Sequence, residues 1–545
     1  MSLRSSKLVV SFGVCLLGLM TGCASTGTKA TPSLPPASVA PTVTTTPNTA
    51  SNTASNTDTG SATTTTEAAP AVFRPDAVGL ATAVPPPDPG SGTIVLGPGG
   101  GDLASVGYVQ EEFFVSGTAS AYESAAPLSA DGRWSASSIY PQAYTTRIVV
   151  RRPIDPSAFT GNVAVEWLNV TAGFDTAPDW TNTHVELIRS GWVWVGVSAQ
   201  AVGIVGSKRS IVAALALKNA DPVRYAPLVH PGDDYSYDIF SQVGALLRTQ
   251  SQQVLGGLQP QHVLAFGESQ SAFRLTTYVN AIARIANVYD GFLIHSRGAQ
   301  GAPLFQTPFR TIAAPKQTVI RADVGVPVLI FETETDLVSP RLNYRVASQP
   351  DTPLIRTWEV AGTAHQDLYG LGIGDGDLGD GAADATLFAA MSSPPDAIYG
   401  GVITCKAGIN AGPHPYVLRS AVSTLAVWAA TGMPPASMPR VELDASGTIR
   451  VDAQGNALGG VRTPQVDAPV ATLSGLGQTG DKFCGLFGTT TPFDTATIAA
   501  KYPSHDAFIA KWNAAVDSAV FAGALLPADA AQLKAVAAAS TIGTP

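Results

Sequence analysis

Six short runs of β-branched and apolar residues punctuate the middle of this chain, at 162–169, 191–198, 262–266, 288–295, 326–331 and 355–360. Stretches with helical character lie between several of them, at 181–189, 235–250 and 270–285. Short, near-continuous apolar strands that alternate with helices predict strands buried on both faces. The chain is therefore an α/β protein with a mostly parallel central sheet flanked by helices. Two further segments, 106–122 and 145–150, have β character ahead of this series. Residues 297–325 separate two strands and are rich in Pro, Gly and Ala. That is long for a plain connection, so it predicts part of a cap over a pocket. Beyond 395 come helical stretches at 416–431, 505–521 and 527–540, with a turn-rich segment at 441–490. We divide the chain accordingly into a core at 71–395 and a C-terminal extension at 396–545, packed on the core.

The first 70 residues obey different rules. Arg4 and Lys7 precede a short apolar run, Leu8 to Met20, too short to span a bilayer. Thr21-Gly22-Cys23 then sets small residues before a cysteine, which resembles a bacterial lipobox, with Met20 where Leu is favoured. Residues 1–23 are expected to be a lipoprotein signal peptide, with Cys23 carrying the lipid, including palmitate. Residues 24–70 are almost entirely Ser, Thr, Ala, Pro, Asn and Gly. Such a tract cannot bury enough apolar surface to offset its ordering entropy, so it reads as a flexible tether. The expectation is an exported protein, lipid-anchored to the cell envelope on its periplasmic or extracellular face, with the membrane as a partner. Cys405 and Cys484 form an even pair in an oxidising compartment, which predicts a disulfide. Neither has a second Cys or a His at ligand spacing, so no metal is expected. The formal net charge of −9, without a basic cluster, argues against nucleic acid. The glycines 99–101 open no helix and lack dinucleotide spacing, and no P-loop occurs, so no cofactor is expected.

Chemistry concentrates at Gly267-Glu268-Ser269-Gln270-Ser271, between the strand at 262–266 and the helix at 270–285. Strand, sharp turn and helix with Ser at the tip is the context of a nucleophile elbow. Ser271 stands where the usual residue is Gly. Partners follow in the order Ser, acid, His. The run Pro327 to Phe331 leads into Glu332-Thr333-Glu334-Thr335-Asp336, and the strand at 355–360 leads into Gly362-Thr363-Ala364-His365. Asp336 fits best as the orienting acid, with Glu334 as the fallback, and His365 fits the general base. An oxyanion hole would take the backbone N–H of Gln270 and a second donor from Val170, Thr171 or Ala172.

The remaining histidines and acids carry weaker expectations. His184 and His295 are candidates to line the pocket. His230, His262, His414 and His505 read as structural or surface residues. Asp290 and Asp367 are candidate supporting acids, and Trp180 a candidate border of the pocket.

The stretches 165–170, 267–271, 332–336 and 362–365, with Cys405 and Phe483-Cys484-Gly485, resemble a bacterial, often exported family of α/β-hydrolase domain proteins. The resemblance spans roughly 75–545. It implies an α/β-hydrolase fold, the Ser269–Asp336–His365 triad and a family-specific C-terminal region, and it implies no substrate. The expected activity is that of a serine esterase on small-molecule or envelope esters. An acyltransferase or peptidase using the same triad, and an inactive lipid-anchored binding module, are the alternatives.

Overall fold

The computed structural model describes residues 78–97, 101–208, 212–307 and 310–544. The expected signal segment, Cys23 and the tether lie outside the described residues. All of the described residues fall in one compact unit. Its nine-stranded sheet is built from β1 (Thr82–Val84), β2 (Tyr108–Glu123), β3 (Ser137–Pro153), β4 (Asn162–Trp167), β5 (Val193–Val197), β6 (His262–Glu268), β7 (Gly291–His295), β8 (Val328–Thr333) and β9 (Ile355–Val360). The principal helices are α1 (Pro178–Arg189), α2 (Ser236–Thr249), α3 (Gln270–Ala281), α4 (Glu334–Val338), α5 (His414–Thr431), α6 (His505–Phe521) and α7 (Pro527–Ala538).

The order across the sheet is β1-β2-β3-β5-β4-β6-β7-β8-β9. From β5 to β9 every neighbouring pair is parallel. Parallel neighbours need crossover connections, which is why helices fall between these strands in sequence. At the other edge β1, β2, β3 and β5 pair antiparallel.

Every residue of β5, β7 and β8 is buried. Both faces of these strands are covered, so no polar face interrupts their apolar runs. On one face Val163, Val165, Val195 and Ile294 pack with Phe240 and Val243 of α2 and Leu275 and Tyr278 of α3. On the other, Ala164, Trp194, Leu264, Leu293 and Phe331 pack with Trp180 and Leu187 of α1 and Leu418 and Leu425 of α5. Helix α5, from beyond residue 395, thus supplies part of the layer that covers the sheet.

Some elements differ from the sequence reading. The helix expected at 270–285 ends at Ala281, and a separate turn spans Ala283–Ala286. Strand β3 runs far beyond 145–150, as one arm of a long hairpin with β2. The segment 297–325 carries a two-residue hairpin, Phe305–Gln306 with Thr311–Ile312. It lies along α3, where Ala302 N–H donates to the Phe273 carbonyl and Thr277 Oγ1 donates to the Ala302 carbonyl.

Candidate active site

Strand β6 ends at Glu268 and α3 begins at Gln270, so Ser269 alone makes the turn. Its φ of 56° and ψ of −116° lie where L-residues rarely go. Such a conformation costs about 1–3 kcal/mol and persists only where the surroundings enforce it. Here the Ser269 N–H is held by the His295 carbonyl at 2.9 Å. Strand and helix also meet closely. A Cβ on Gly267 would lie 2.9 Å from Leu275 Cδ1 and 3.2 Å from the Ser271 carbonyl carbon. Ser271 is fully buried in the same contact, so its small side chain serves where Gly is usual.

Ser269 Oγ lies 2.8 Å from His365 Nε2, and His365 Nδ1 lies 2.6 Å from Asp336 Oδ1. Asp336 is fixed by a local motif. Thr333 caps the short helix α4, and its N–H and Oγ1–H both donate to Asp336 Oδ2 at 2.7 Å. Burial raises the Asp336 carboxyl, but His365 and the Thr333 bonds outweigh it and hold it below the ordinary carboxylate value. Burial likewise pulls His365 down, while Asp336 and then Glu268 raise it further, to a net value above that of free imidazole.

Glu334, the fallback acid, does not meet the imidazole. Its Oε1 accepts from Gly362 N–H at 2.6 Å and its Oε2 from Gly475 N–H at 2.8 Å. It ties the His365 loop to a C-terminal strand instead, and burial pushes it up to about 7. The loop is also held by Thr335, whose Oγ1 accepts from His365 N–H at 3.1 Å and donates to the Gly475 carbonyl at 2.6 Å.

The loop after β4 lies beside the turn. Asn169 Nδ2 donates to the Glu268 carbonyl at 3.1 Å and to Glu268 Oε2 at 2.9 Å. The expectation for Thr171 is corrected, because its N–H donates to Asn169 Oδ1 at 2.8 Å and is spent there. Among the described residues the N–H groups of Val170, Ala172 and Gln270 meet no protein acceptor. Gln270 opens α3, where a first-turn N–H has no partner within the helix.

Glu268 was not singled out by sequence. Its carboxyl is 3.4 Å from His365 Nε2 and accepts from Gln366 Nε2 at 3.1 Å. It therefore joins the loop after β4, the turn and the His365 loop, and burial pushes it up to about 7. Its position directly before Ser269 was the available signal.

The other candidates fall elsewhere. His184 stacks on Trp180 and meets the Asp377 carbonyl at 2.7 Å. Trp180 packs on Trp194, under the Arg151 guanidinium. Asp290 binds Arg248 and the Val263 N–H, away from the triad residues. Asp367 is buried and accepts from Gly370 N–H. His295 is fully buried beneath the turn, and His414, read as structural or surface, meets it at 2.7 Å. Cys405 and Cys484 are joined as a disulfide. The segments around it run onto the His365 loop, with Gln366 N–H donating to the Leu486 carbonyl. Among the described residues no group of three His, Cys, Asp or Glu side chains could hold a metal. No described helix is long and apolar enough to cross a membrane.

A family model described as alpha/beta hydrolase domain matches residues 76–535. No curated protein matches the chain. Among solved structures, the chain is similar to a fungal esterase from Rhizomucor miehei at 10% identity, covering 46% of this chain and 74% of that one, with a TM-score of 0.24. A serine hydrolase without a lid from Xanthomonas campestris is 14% identical, with 39% and 78% covered and a TM-score of 0.23. An alpha-beta serine hydrolase homologue from Coxiella burnetii is 12% identical, with 41% and 84% covered and a TM-score of 0.25.

Proposed function

The chain belongs to the alpha/beta hydrolase domain family, and from that premise we propose that it is a serine hydrolase that cleaves carboxylic esters through an acyl-enzyme on Ser269. The observation that carries this reading is the unbroken line of hydrogen bonds from Ser269 Oγ through His365 to Asp336 Oδ1. As Oγ attacks the ester carbonyl, neutral His365 accepts the hydroxyl proton at Nε2. Asp336 holds the Nδ1–H tautomer and stabilises the imidazolium. The tetrahedral oxyanion takes the N–H of Gln270 and that of Val170 or Ala172, each such donor contributing about 10²–10³ in rate. Collapse expels the alcohol, which receives the proton from His365, and water repeats the sequence to release the acid. The proposal also includes acylation of Cys23 and attachment to the envelope, supported by Thr21-Gly22-Cys23 and the tract after it.

A fluorophosphonate tests the nucleophile directly. The expected result is one adduct on Ser269, located by peptide mass spectrometry, with turnover of short-chain nitrophenyl esters. Folded protein that neither labels nor turns over overturns the reading.

The charges around His365 set the pH profile. The base works neutral, so kcat/KM rises with pH through a limb above the free-imidazole value, because the net shift of His365 is upward. Glu268 contributes to that upward shift. Glu268→Gln is expected to move the limb to lower pH. A limb that stays in place would show that Glu268 bears no charge as His365 titrates.

A further inference from the structure

Two buried histidines beneath the nucleophile have no part in that mechanism, yet they sit in a continuous hydrogen-bonded line. Asp179 Oδ1, in the first turn of α1, lies 2.8 Å from His295 Nδ1. His295 Nε2 lies 2.7 Å from His414 Nε2. His414 Nδ1 lies 3.1 Å from the carbonyl oxygen of Ala364, the residue before His365. All three side chains are buried. The line passes directly under the turn, since the His295 carbonyl accepts the Ser269 N–H. It therefore connects the start of α1, the nucleophile and the His365 loop.

Counting protons fixes its direction. A carbonyl only accepts, so His414 Nδ1 carries hydrogen. A neutral imidazole has one N–H, so His414 Nε2 accepts and His295 Nε2 donates to it. His295 Nδ1 then accepts, and the last hydrogen must come from the Asp179 carboxyl. The alternative is an Asp179 carboxylate balanced by an imidazolium, on His295 or on His414. Three observations oppose it. These groups are all buried, where separated charge is costly. Asp179 Oδ2 has no hydrogen-bond partner, which a neutral carboxyl tolerates better than a carboxylate does. A second acid is adjacent: Glu166 accepts from the N–H groups of Asp179 and Trp180 and from Trp194 Nε1. Consistently, burial pushes Asp179 up to about 8 and His295 and His414 down to about 3.

We propose that Asp179, His295 and His414 form a neutral relay, with the Asp179 carboxyl as donor, that positions the Ser269 turn and the His365 loop against one another. This rests on the serine-hydrolase reading above, and the three are positioning residues that touch no substrate. The relay runs opposite to the triad. Asp336 accepts a hydrogen from its imidazole, whereas Asp179 donates one.

That reversal makes asparagine the deciding substitution. In Asp179→Asn the amide N–H replaces the carboxyl hydrogen toward His295 Nδ1, so kcat is expected to stay within about threefold of the parent. Asp179→Ala removes the donor, and kcat is expected to fall by about 10²-fold at unchanged KM, the scale of a small misplacement of catalytic groups. A folded Asp179→Asn enzyme that loses as much as Asp179→Ala overturns the proposal. A second readout needs no activity. In protein labelled with ¹⁵N-histidine, His295 and His414 should both give neutral-imidazole signals at about pH 7, well above their lowered values. An imidazolium signal from either ring overturns the relay. If the parent enzyme neither labels nor turns over, the hydrolase reading fails while the imidazole spectrum still decides this one.

Discussion

Replacing Ser269 by alanine is expected to lower kcat on a short-chain ester by about 10⁶-fold, and replacing His365 by alanine is expected to do the same. The two losses do not add. Without Ser269 Oγ the imidazole has no proton to accept, and without His365 Nε2, 2.8 Å away, the hydroxyl is not activated. The double variant is therefore expected within about threefold of either single one, because residues acting as one unit are lost together. What survives is the share of catalysis supplied by binding and by the oxyanion donors, about 10³–10⁴ over water. Single-turnover rates on protein of matched folding measure this. An Ser269→Ala enzyme that keeps more than about one hundredth of the parent rate would put the nucleophile elsewhere, since loss of a true one costs far more.

Asp336→Asn is expected to lower kcat by about 10⁴-fold with little change in KM. The reason lies in what surrounds the carboxylate. Two hydrogens from Thr333, one from N–H and one from Oγ1–H, point at Oδ2. An asparagine can meet both donors only by placing its oxygen there. Its amide NH₂ then faces His365 Nδ1, which must accept instead of donate. The imidazole hydrogen is driven to Nε2, where it blocks acceptance of the Ser269 proton. Glu334→Gln gives the contrast. Its carboxyl binds Gly362 and Gly475 and never meets the imidazole, so its loss is expected to fall far short of 10⁴-fold. Equal losses at the two positions would sink the assignment of the orienting role to Asp336. The same Asp→Asn change is thus expected to be severe at Asp336 and nearly silent at Asp179, because one carboxyl accepts and the other donates.

The legible parts of this molecule are those governed by neighbours in sequence. β5 and β8 read as continuous apolar runs because both their faces are covered. The turn at Ser269 was visible because Gly267 and Ser271 flank it with residues small enough for strand and helix to approach. Asp336 was visible because it follows an apolar strand by a few residues, in the order Ser, acid, His. Other features carried no such local mark. The C-terminal helix α5 reads as one more helix, and only packing places it against β7 and β8. Thr171 is as small as its neighbours, and only the folded loop turns its N–H onto Asn169.

His414 shows most sharply where sequence stops. It lies 119 residues from His295, and nothing in its own neighbourhood distinguishes it from a surface histidine. Local patterns specified the α/β layering, the turn that carries Ser269, and the order of the strands that lead to Asp336 and His365. Periodicity and turn chemistry act over a few residues, so a chain displays them before it folds. Tertiary structure alone decided which side chains meet: Glu268 with His365, Asn169 with Glu268, and Asp179 with His295 and His414. A hydrogen bond needs its partners within about 3 Å, and only the packed sheet brings segments a hundred residues apart to that distance. Burial in that packing also decides which of two carboxyls keeps its proton, because the cost of a charge depends on what surrounds it.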